Sequence, residues 1–198
     1  MTPVQTQHLL LSFFWILYCI VHSVLANGSV KNKVQNIMQD NYKYYRPAYA
    51  IFATFTLIAV IWFHFSITSL EIYTPSFIIK LIGYLITLTG LIIMLICIKK
   101  YFYELSGLQA LQHEKATNTL QTNGLHSFVR HPLYFGTIAF VVGLTIAFSY
   151  LNNIIATLII TIYVWIGINV EEKKLVQEYG DQYIKYKQRV PKLIPFAK

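Results

Sequence analysis

Five long apolar runs limit what this chain can fold into more than any other feature. They cover residues 9–26, 48–65, 77–98, 133–151 and 154–170. About 20 apolar residues in a helix cross the ~30 Å hydrocarbon layer, and shorter runs are adequate where flanking Tyr, Trp and Lys reach the interface. Since 56% of the 198 residues are apolar and only 12% are charged, we predict an all-α integral membrane protein with five transmembrane helices. Its first partner is then the lipid bilayer.

The basic residues predict the orientation of these helices, because Lys and Arg are retained on the cytoplasmic side. Fifteen of the sixteen lie in the first connection, the third connection or the tail; Lys80, just inside the third span, is the exception. This pattern predicts an outside N-terminus and a cytoplasmic C-terminus, and the expected location is a bacterial-type inner membrane. The net charge of +8 is divided among loops, so it indicates topology and no nucleic-acid partner.

The first apolar run has a second interpretation, because Val24, Leu25 and Ala26 resemble the end of a secretory signal. Residues 1–8 contain no Lys or Arg, whereas export signals begin with cations. We therefore expect this run to be retained as a membrane span. Cys19 and Cys97 also fall inside spans, where small apolar packing is their expected role.

The chain divides into residues 1–98, with three membrane-embedding spans, and residues 99–198, with a polar loop, a helical hairpin and a tail. Only two residues separate the last two spans, so these spans must be antiparallel neighbours. The hairpin therefore brings Arg130 and His131 to the level of Glu171 and Glu172. Because two adjacent carboxylates repel each other at a membrane boundary, one should face a cation. Either Glu171 pairs with Arg130 or His131, or it binds a ligand.

Pro132 suits the first turn of a helix that has His131 near its cap, and such a helix start attracts a small carboxylate. After Glu172, apolar and aromatic residues recur at helical spacing: Leu175, Tyr179, Tyr183 and Tyr186. They predict an amphipathic interfacial tail helix. His22 and His64 stand alone near span ends and are expected to be structural or interfacial rather than catalytic. No phosphate-binding loop, zinc-binding cysteine set or hydrolase triad is present in the sequence.

Several ordered motifs carry a family resemblance over residues 99–196. The loop contains Gln112-His113-Glu114-Lys115, then Thr119 to Gly124, then Arg130-His131-Pro132-Leu133-Tyr134-Phe135-Gly136; the end contains Glu171-Glu172, Leu175, Tyr179-Gly180, Tyr183, Tyr186 and Arg189-Val190-Pro191. This arrangement resembles the isoprenylcysteine carboxyl methyltransferases and the wider superfamily that includes membrane phospholipid methyltransferases. The first half, with His22-Ser23, Tyr45-Arg46 and Tyr49, is similar to NnrU-like proteins and methanethiol S-methyltransferases.

The resemblance implies a methyltransferase that uses S-adenosyl-L-methionine at the cytoplasmic membrane face, with no metal. It assigns cofactor contacts to Gln112, Asn118, Thr119, Leu120, Gln121, His126, His131, Pro132, Leu133, Tyr134 and Glu171, and catalytic roles to Arg130 and Tyr183. Glu171 would pair with the cofactor's ammonium, while His131 or the helix start would hold its carboxylate.

One position departs from the isoprenylcysteine enzymes, which carry an Arg about one turn before the glutamate pair. Here that position is Gly167, and Arg130 or Arg189 would have to replace the missing side chain. The expected acceptor is therefore a lipophilic carboxylate or a thiol, with small-thiol S-methylation as one alternative. The alternative of another class is a non-catalytic NnrU-like membrane protein.

Overall fold

The computed structural model describes residues 2–102, 106, 108 and 119–195. In this part of the chain there is no β-strand, and an isolated antiparallel bridge joins Glu71 to Tyr150. The α-helices described are α1 Pro3–Ala26, α2 Gly28–Met38, α3 Tyr45–Ser66, α4 Phe77–Lys100, α5 Pro132–Ala147, α6 Leu151–Tyr179 and α7 Asp181–Arg189. Short 3-10 helices cover Gln39–Tyr44 and Gly124–Ser127. The predicted all-α class is confirmed.

Within the described residues, four helical segments are long and apolar enough to cross a bilayer: α1, the 39-residue segment containing α2 and α3, α4 and α6. Helix α5 is shorter, with 16 residues, or about 24 Å of helix. Large apolar side chains point outward, including Phe55, Trp62 and Phe77 at 76%, 72% and 80% exposure. Such surfaces suit lipid rather than water. Four to five helices can therefore span a membrane.

The structure forms two compact units, one built on α1 to α3 and the other on α4 to α7. In the first unit, the Phe14 and Phe63 rings meet edge to face with their centroids 5.1 Å apart. The Tyr49 hydroxyl lies 2.8 Å from Nδ1 of His22, and His64 is buried with its ring 6.3 Å from that of Trp15. These contacts are of the structural kind predicted for both histidines. The predicted functional division between residues 98 and 99 stays a prediction.

The hairpin in the second unit turns earlier than the sequence predicts. Helix α5 ends at Ala147, and the connection is Phe148 to Tyr150 rather than Asn152 and Asn153. Both asparagines lie in the first turn of α6, where Asn153 Nδ2 donates to the Phe148 carbonyl at 2.8 Å and the Asn152 side chain accepts from the Asn153 amide. Side-chain amides satisfy backbone groups at helix starts, so these residues belong to the helix.

Helices α4 and α5 pack backbone to backbone through glycines. A methyl group added at Gly90 would lie 2.5 Å from the Phe140 amide nitrogen, and one at Gly143 would lie 2.5 Å from the Thr87 nitrogen. The same addition at Gly83 would meet the Ala147 nitrogen at 2.6 Å. Small residues permit this close approach, which drives helix association in membranes. The packing fixes α5 against α4 and so holds the start of α5 in place.

The predicted tail helix is divided in two. Helix α6 continues past Glu172 to Tyr179, Gly180 follows with φ 51°, and α7 then begins at Asp181. A positive φ favours glycine at a helix end, so Gly180 allows the chain to turn. Tyr183 and Tyr186 are buried, at 1% and 5% exposure, and do not lie at an open membrane boundary.

Gly90→Ala should destabilise the second unit, because its methyl group would meet backbone that cannot move aside easily. We expect a loss of about 1–3 kcal/mol, the usual cost of overpacking. Thermal unfolding in detergent measures this against Gly28→Ala, where the added methyl meets open space. Equal melting temperatures for the two variants would contradict the tight packing.

Candidate active site

The start of α5 and the polar end of α6 meet at one end of the hairpin. Pro132 occupies the first turn of α5, and His131 is its N-cap residue without a side-chain cap hydrogen bond. Arg130 and Glu172 are 42 residues apart in sequence yet in direct contact. The predicted convergence of Arg130 and His131 with the glutamate pair is present.

Glu172 is the centre of a buried charge cluster. Its Oε1 accepts from Nε of Arg130 at 2.9 Å and lies 2.8 Å from Nη2 of the same guanidinium. Nε2 of His131 lies 3.2 Å from that oxygen. On the other oxygen, Nζ of Lys187 is at 3.2 Å and Nζ of Lys192 at 3.9 Å. Arg130, His131 and Glu172 are each less than 9% exposed. The Glu172 carboxylate is therefore buried and occupied by contacts with other protein groups.

Arg130 also binds the backbone of the C-terminal segment. Its Nη1 donates to the carbonyls of Lys187 at 2.9 Å and Val190 at 2.7 Å. The Arg130 amide donates to the Pro191 carbonyl at 2.9 Å, and the His131 amide donates to that of Lys192 at 3.3 Å. The guanidinium is thus engaged by protein groups on Nε, Nη1 and Nη2. These contacts favour a positioning role for Arg130, and its predicted catalytic role stays a prediction.

Glu171 has a different environment from its neighbour. Its side chain is 44% exposed, and its Oε2 lies 3.9 Å from Nδ1 of His131. The carboxylate also lies beside the Tyr134 hydroxyl. Of the two partners expected for Glu171, Arg130 or His131, the structure places His131 beside it, because the Arg130 guanidinium faces Glu172 on the adjacent helical position. Successive residues of a helix point about 100° apart, so only one of the two can face Arg130.

Burial favours the neutral form of His131. Burial lowers its pKa below the ordinary 6.5; Glu171 and Glu172 oppose this, and Arg130 adds to it. A neutral imidazole carries one N–H. We assign that hydrogen to Nε2, which donates to Glu172, so Nδ1 presents a lone pair toward Glu171. A donor placed between Nδ1 and the Glu171 carboxylate would satisfy both acceptors.

The loop before Arg130 supplies the other predicted contacts. His126 is half-buried, and its carbonyl accepts from the Tyr186 hydroxyl at 2.7 Å. Thr119 and Gln121 are exposed and Leu120 is half-buried. Gln112 and Asn118 lie outside the described residues. The cofactor contacts assigned to this loop therefore stay predictions.

Tyr183 is buried beside the charge cluster. Pro132, at the start of α5, is also buried. The Tyr183 hydroxyl is close to the Glu172 carboxylate, but it makes no hydrogen bond of standard geometry within the part of the chain described. Burial and then the charge of Glu172 raise its pKa above the ordinary 10.0. Its predicted catalytic role stays a prediction; its position suits support of Glu172.

The sequence missed three members of the cluster as site residues: Glu172, Lys187 and Lys192. Lys192 also donates to Asn169 Oδ1 at 3.0 Å and lies 5.1 Å from the Trp165 ring centroid. The adjacent glutamates and the basic tail indicate that a glutamate pairs with a cation. They do not indicate which of the two carboxylates does so. Arg189 is exposed, and its Nε donates to the Lys185 carbonyl of its own helix.

A separate cavity of about 260 Å³ lies between α1 and α3 in the first unit, lined by Phe14, Leu17, Tyr18, Val21, His22, Tyr49, Phe52, Ala53, Thr56, Ala59 and Val60. None of these residues carries a carboxylate or a Lys or Arg side chain. Because binding a zwitterionic amino-acid group requires charged or strongly polar partners, the charge cluster is the better candidate site.

The hairpin, with Arg130, His131, Glu171 and Glu172, lies inside a recognised family region. The phospholipid methyltransferase family matches residues 78–182, which is more than half of the chain. The chain belongs to the phospholipid methyltransferase family. This membership confirms the predicted superfamily. The matched region includes Arg130, His131, Glu171 and Glu172.

Named relatives of this phospholipid methyltransferase family member fall into two groups. Methanethiol S-methyltransferase 1 of Bradyrhizobium diazoefficiens is 29% identical over 92% of this chain and 65% of its own length, and methanethiol S-methyltransferase of Crocosphaera subtropica is 26% identical over 91% and 71%. Human protein-S-isoprenylcysteine O-methyltransferase is 31% identical over 69% and 49%. The chain thus spans about two thirds of the first relatives and half of the human one. No solved structure matches it significantly.

Glu172→Gln should destabilise this family member, whereas Glu171→Gln should not. The first change leaves the Arg130 charge buried without its carboxylate, which costs about 3–5 kcal/mol. The Glu171 side chain is 44% exposed, so solvent screens its charge and the charge contributes little to folding. Thermal melts of the cofactor-free protein measure the difference, with the exposed Glu178→Gln as control. Equal melting temperatures for all three variants would contradict a structural role of Glu172.

Acid should weaken the fold through His126. Burial, then Lys100 and His131, lower its pKa from the ordinary 6.5 to about 4. Between these pH values the unfolded chain binds a proton that the folded chain does not, so stability falls as pH falls from 6.5 toward 4. The melting temperature of His126→Gln should therefore decline less over this window than that of the wild type. Parallel declines would show that His126 does not contribute.

Proposed function

We propose that the chain is a membrane methyltransferase that uses S-adenosyl-L-methionine and holds the amino-acid end of this cofactor between Glu171 and the start of α5. The observation that carries the proposal is that the two adjacent glutamates differ in burial and in contacts. Glu172 is buried against Arg130, whereas Glu171 is 44% exposed and its Oε2 lies 3.9 Å from Nδ1 of His131, an imidazole whose neutral form gives it no opposite charge. Glu171 therefore keeps its charge available for a ligand.

The acceptors around Glu171 fit an ammonium group. A primary ammonium has three donors. Glu171 Oε2 and His131 Nδ1 can each take one, and the Tyr134 hydroxyl oxygen beside Glu171 offers a third acceptor. A charge-assisted contact of this kind is stronger than a neutral hydrogen bond.

The start of α5 fits the cofactor's carboxylate. The amides of Leu133 and Tyr134 lie in its first turn, where a helix leaves N–H groups without internal partners. No side chain caps this helix, so these N–H groups and the positive helix end can bind an anion. Ammonium and carboxylate sites are thus adjacent, as an amino-acid group requires.

The remaining contacts are proposed from the family resemblance. The loop residues Gln112, Asn118, Thr119, Leu120, Gln121 and His126 would flank the adenosine portion. Arg130 and Tyr183 would act as positioning residues that fix Glu172 and hence the adjacent turn of α6. The cofactor supplies an activated methyl group on a sulfonium. The chain then has to orient this group toward the acceptor and exclude water.

A thiol acceptor is the better supported of the two acceptor classes. The methanethiol S-methyltransferases align over about nine tenths of this chain, compared with 69% for the human O-methyltransferase. Gly167 also offers no cation for a carboxylate acceptor. A lipophilic carboxylate acceptor remains the second candidate. A non-catalytic role would not explain why the partly exposed Glu171 lies beside a helix start that no side chain caps.

The proposed orientation places the N-terminus outside and the charge cluster on the cytoplasmic side of a bacterial-type inner membrane. The basic loops support this orientation, because Lys and Arg are retained on the cytoplasmic side. Cysteine tags placed within residues 71–74 should react with a membrane-impermeant maleimide added outside whole cells, and tags at residue 198 should react only after lysis. A tag at 198 that reacts in intact cells would reverse the orientation.

Glu171→Gln should weaken cofactor binding without unfolding the protein. Loss of a charge-assisted contact costs about 1.5–3 kcal/mol, so the Kd should rise roughly tenfold to a hundredfold. Calorimetric titration of the cofactor into detergent-solubilised protein measures this, with Glu178→Gln as the matched control on the same helix. If Glu171→Gln binds the cofactor as tightly as the control, the cofactor site is elsewhere.

A further inference from the structure

Glu172 has more cations around it than one carboxylate can neutralise. The Arg130 guanidinium lies 2.8 Å from its Oε1, and the ammonium groups of Lys187 and Lys192 lie 3.2 and 3.9 Å from its Oε2. Within the part of the chain described, the ion pairs of both lysines are with Glu172, and Glu171 takes part in neither. Positive charge is therefore in excess where α6 meets the C-terminal segment.

The two lysine ammonium groups are neighbours and are open to a ligand. Both approach the same oxygen of Glu172, so a single anion can contact both. The side chains of Lys187 and Lys192 are 47% and 29% exposed. A Lys ammonium has three donors, and contact with one carboxylate oxygen does not use this capacity fully. An anion bound here would offset the positive charge that Glu172 leaves uncompensated.

Lys192 lies where the lipid-facing surface of α6 ends. Its Nζ donates to Asn169 Oδ1 at 3.0 Å and lies 5.1 Å from the centroid of the Trp165 ring. Trp165 is 55% exposed, and Ile194, two residues beyond Lys192, is 64% exposed. Trp side chains concentrate at membrane–water interfaces, where Lys extends its ammonium toward the headgroups. These features place the ammonium at headgroup level, next to apolar surface that suits lipid.

We propose that Lys187 and Lys192 bind the phosphate of an anionic phospholipid, such as phosphatidylglycerol, at the membrane boundary. Basic pockets beside transmembrane helices recognise anionic headgroups in this way. The lipid is a ligand that holds the C-terminal segment to the membrane. It is not the methyl acceptor, because its glycerol headgroup carries neither an amine nor a thiol. The inference therefore goes beyond methyl transfer and does not depend on the cofactor site.

The position of the two lysines favours a lipid over a soluble anion. Acyl chains hold a phospholipid in the plane of the membrane, so its phosphate is presented at high local concentration to an ammonium at headgroup level. Inorganic phosphate lacks this advantage. A zwitterionic lipid carries its own cation, which would add to the positive charge already in excess. The occupant is therefore a lipid whose headgroup has a net negative charge.

Lipid-dependent thermal stability tests the proposal. The full chain, free of cofactor, is melted in neutral detergent at about 0.15 M salt, where the Debye length is about 8 Å. Dioleoylphosphatidylglycerol, dioleoylphosphatidylcholine or inorganic phosphate is added in increasing amounts. Lys187→Gln/Lys192→Gln removes both cations, and Lys187→Arg/Lys192→Arg keeps them. Lys173→Gln/Lys174→Gln is the matched control, because both residues are exposed on α6 and the net charge changes equally.

The Tm of the wild type should rise with phosphatidylglycerol and stay unchanged with phosphatidylcholine or inorganic phosphate. A lysine beside an anionic lipid contributes about fivefold in affinity, so the mole fraction of phosphatidylglycerol that gives half of the rise should increase roughly tenfold to thirtyfold in Lys187→Gln/Lys192→Gln. The arginine variant should stay within about threefold of the wild type, because a guanidinium also binds phosphate. The control should stay within about threefold as well, since salt screens its exposed charges. If the double glutamine variant does not fold, Lys192→Gln alone replaces it, with an expected increase of about fivefold.

Three outcomes would overturn the inference. An equal rise in Tm with phosphatidylcholine would show that the site does not recognise net charge. An equal rise with inorganic phosphate would show that the ligand is a soluble anion. A control variant that loses the response to phosphatidylglycerol as fully as Lys187→Gln/Lys192→Gln would show that attraction is spread over the basic surface and is not located at these two lysines.

Discussion

The contact between Arg130 and Glu172 is the interaction on which the arrangement of the candidate site depends. It joins Arg130, which lies two residues before the first residue of α5, to the polar end of α6 through two nitrogen–oxygen distances below 3 Å. The same guanidinium holds the carbonyls of Lys187 and Val190. Removing two charges from water is costly unless their hydrogen-bonding capacity is satisfied. Here satisfaction requires the hairpin and the C-terminal segment to be in place together, so folding of the tail and formation of the site are coupled.

This buried pair also explains why the neighbouring carboxylate is available. Glu172 pairs with the Arg130 guanidinium, accepts the His131 Nε2 hydrogen and lies near two lysine ammonium groups. Glu171 points away from Arg130 because successive residues of a helix are rotated by about 100°. The cost of keeping Glu171 charged at the membrane boundary is reduced by its 44% exposure to solvent. One glutamate therefore supports the fold and the other is proposed to bind the cofactor, although they are adjacent in sequence.

The periodicity of the sequence and the lengths of its connections predict much of the fold. The apolar runs predicted the helices, and the short link between the last two spans predicted that Arg130 would meet the glutamate pair. The sequence could not predict which glutamate faces Arg130, because that depends on the rotation of α6 against α5. The carbonyls of Lys187, Val190, Pro191 and Lys192 were also missed, since a backbone acceptor has no sequence signature. The end of α5 at Ala147 was misplaced because the two asparagines that resemble a turn satisfy the start of α6 instead.

A double-mutant cycle shows whether Glu171 binds the cofactor's ammonium. The Kd of S-adenosyl-L-methionine and of its deaminated analogue would be measured with the wild type and with Glu171→Gln. If the contact exists, removing the amine should weaken binding to the wild type by roughly tenfold or more, and to the variant by much less. Equal losses for the two proteins would show that the ammonium and Glu171 do not interact, and the account of this site would be wrong.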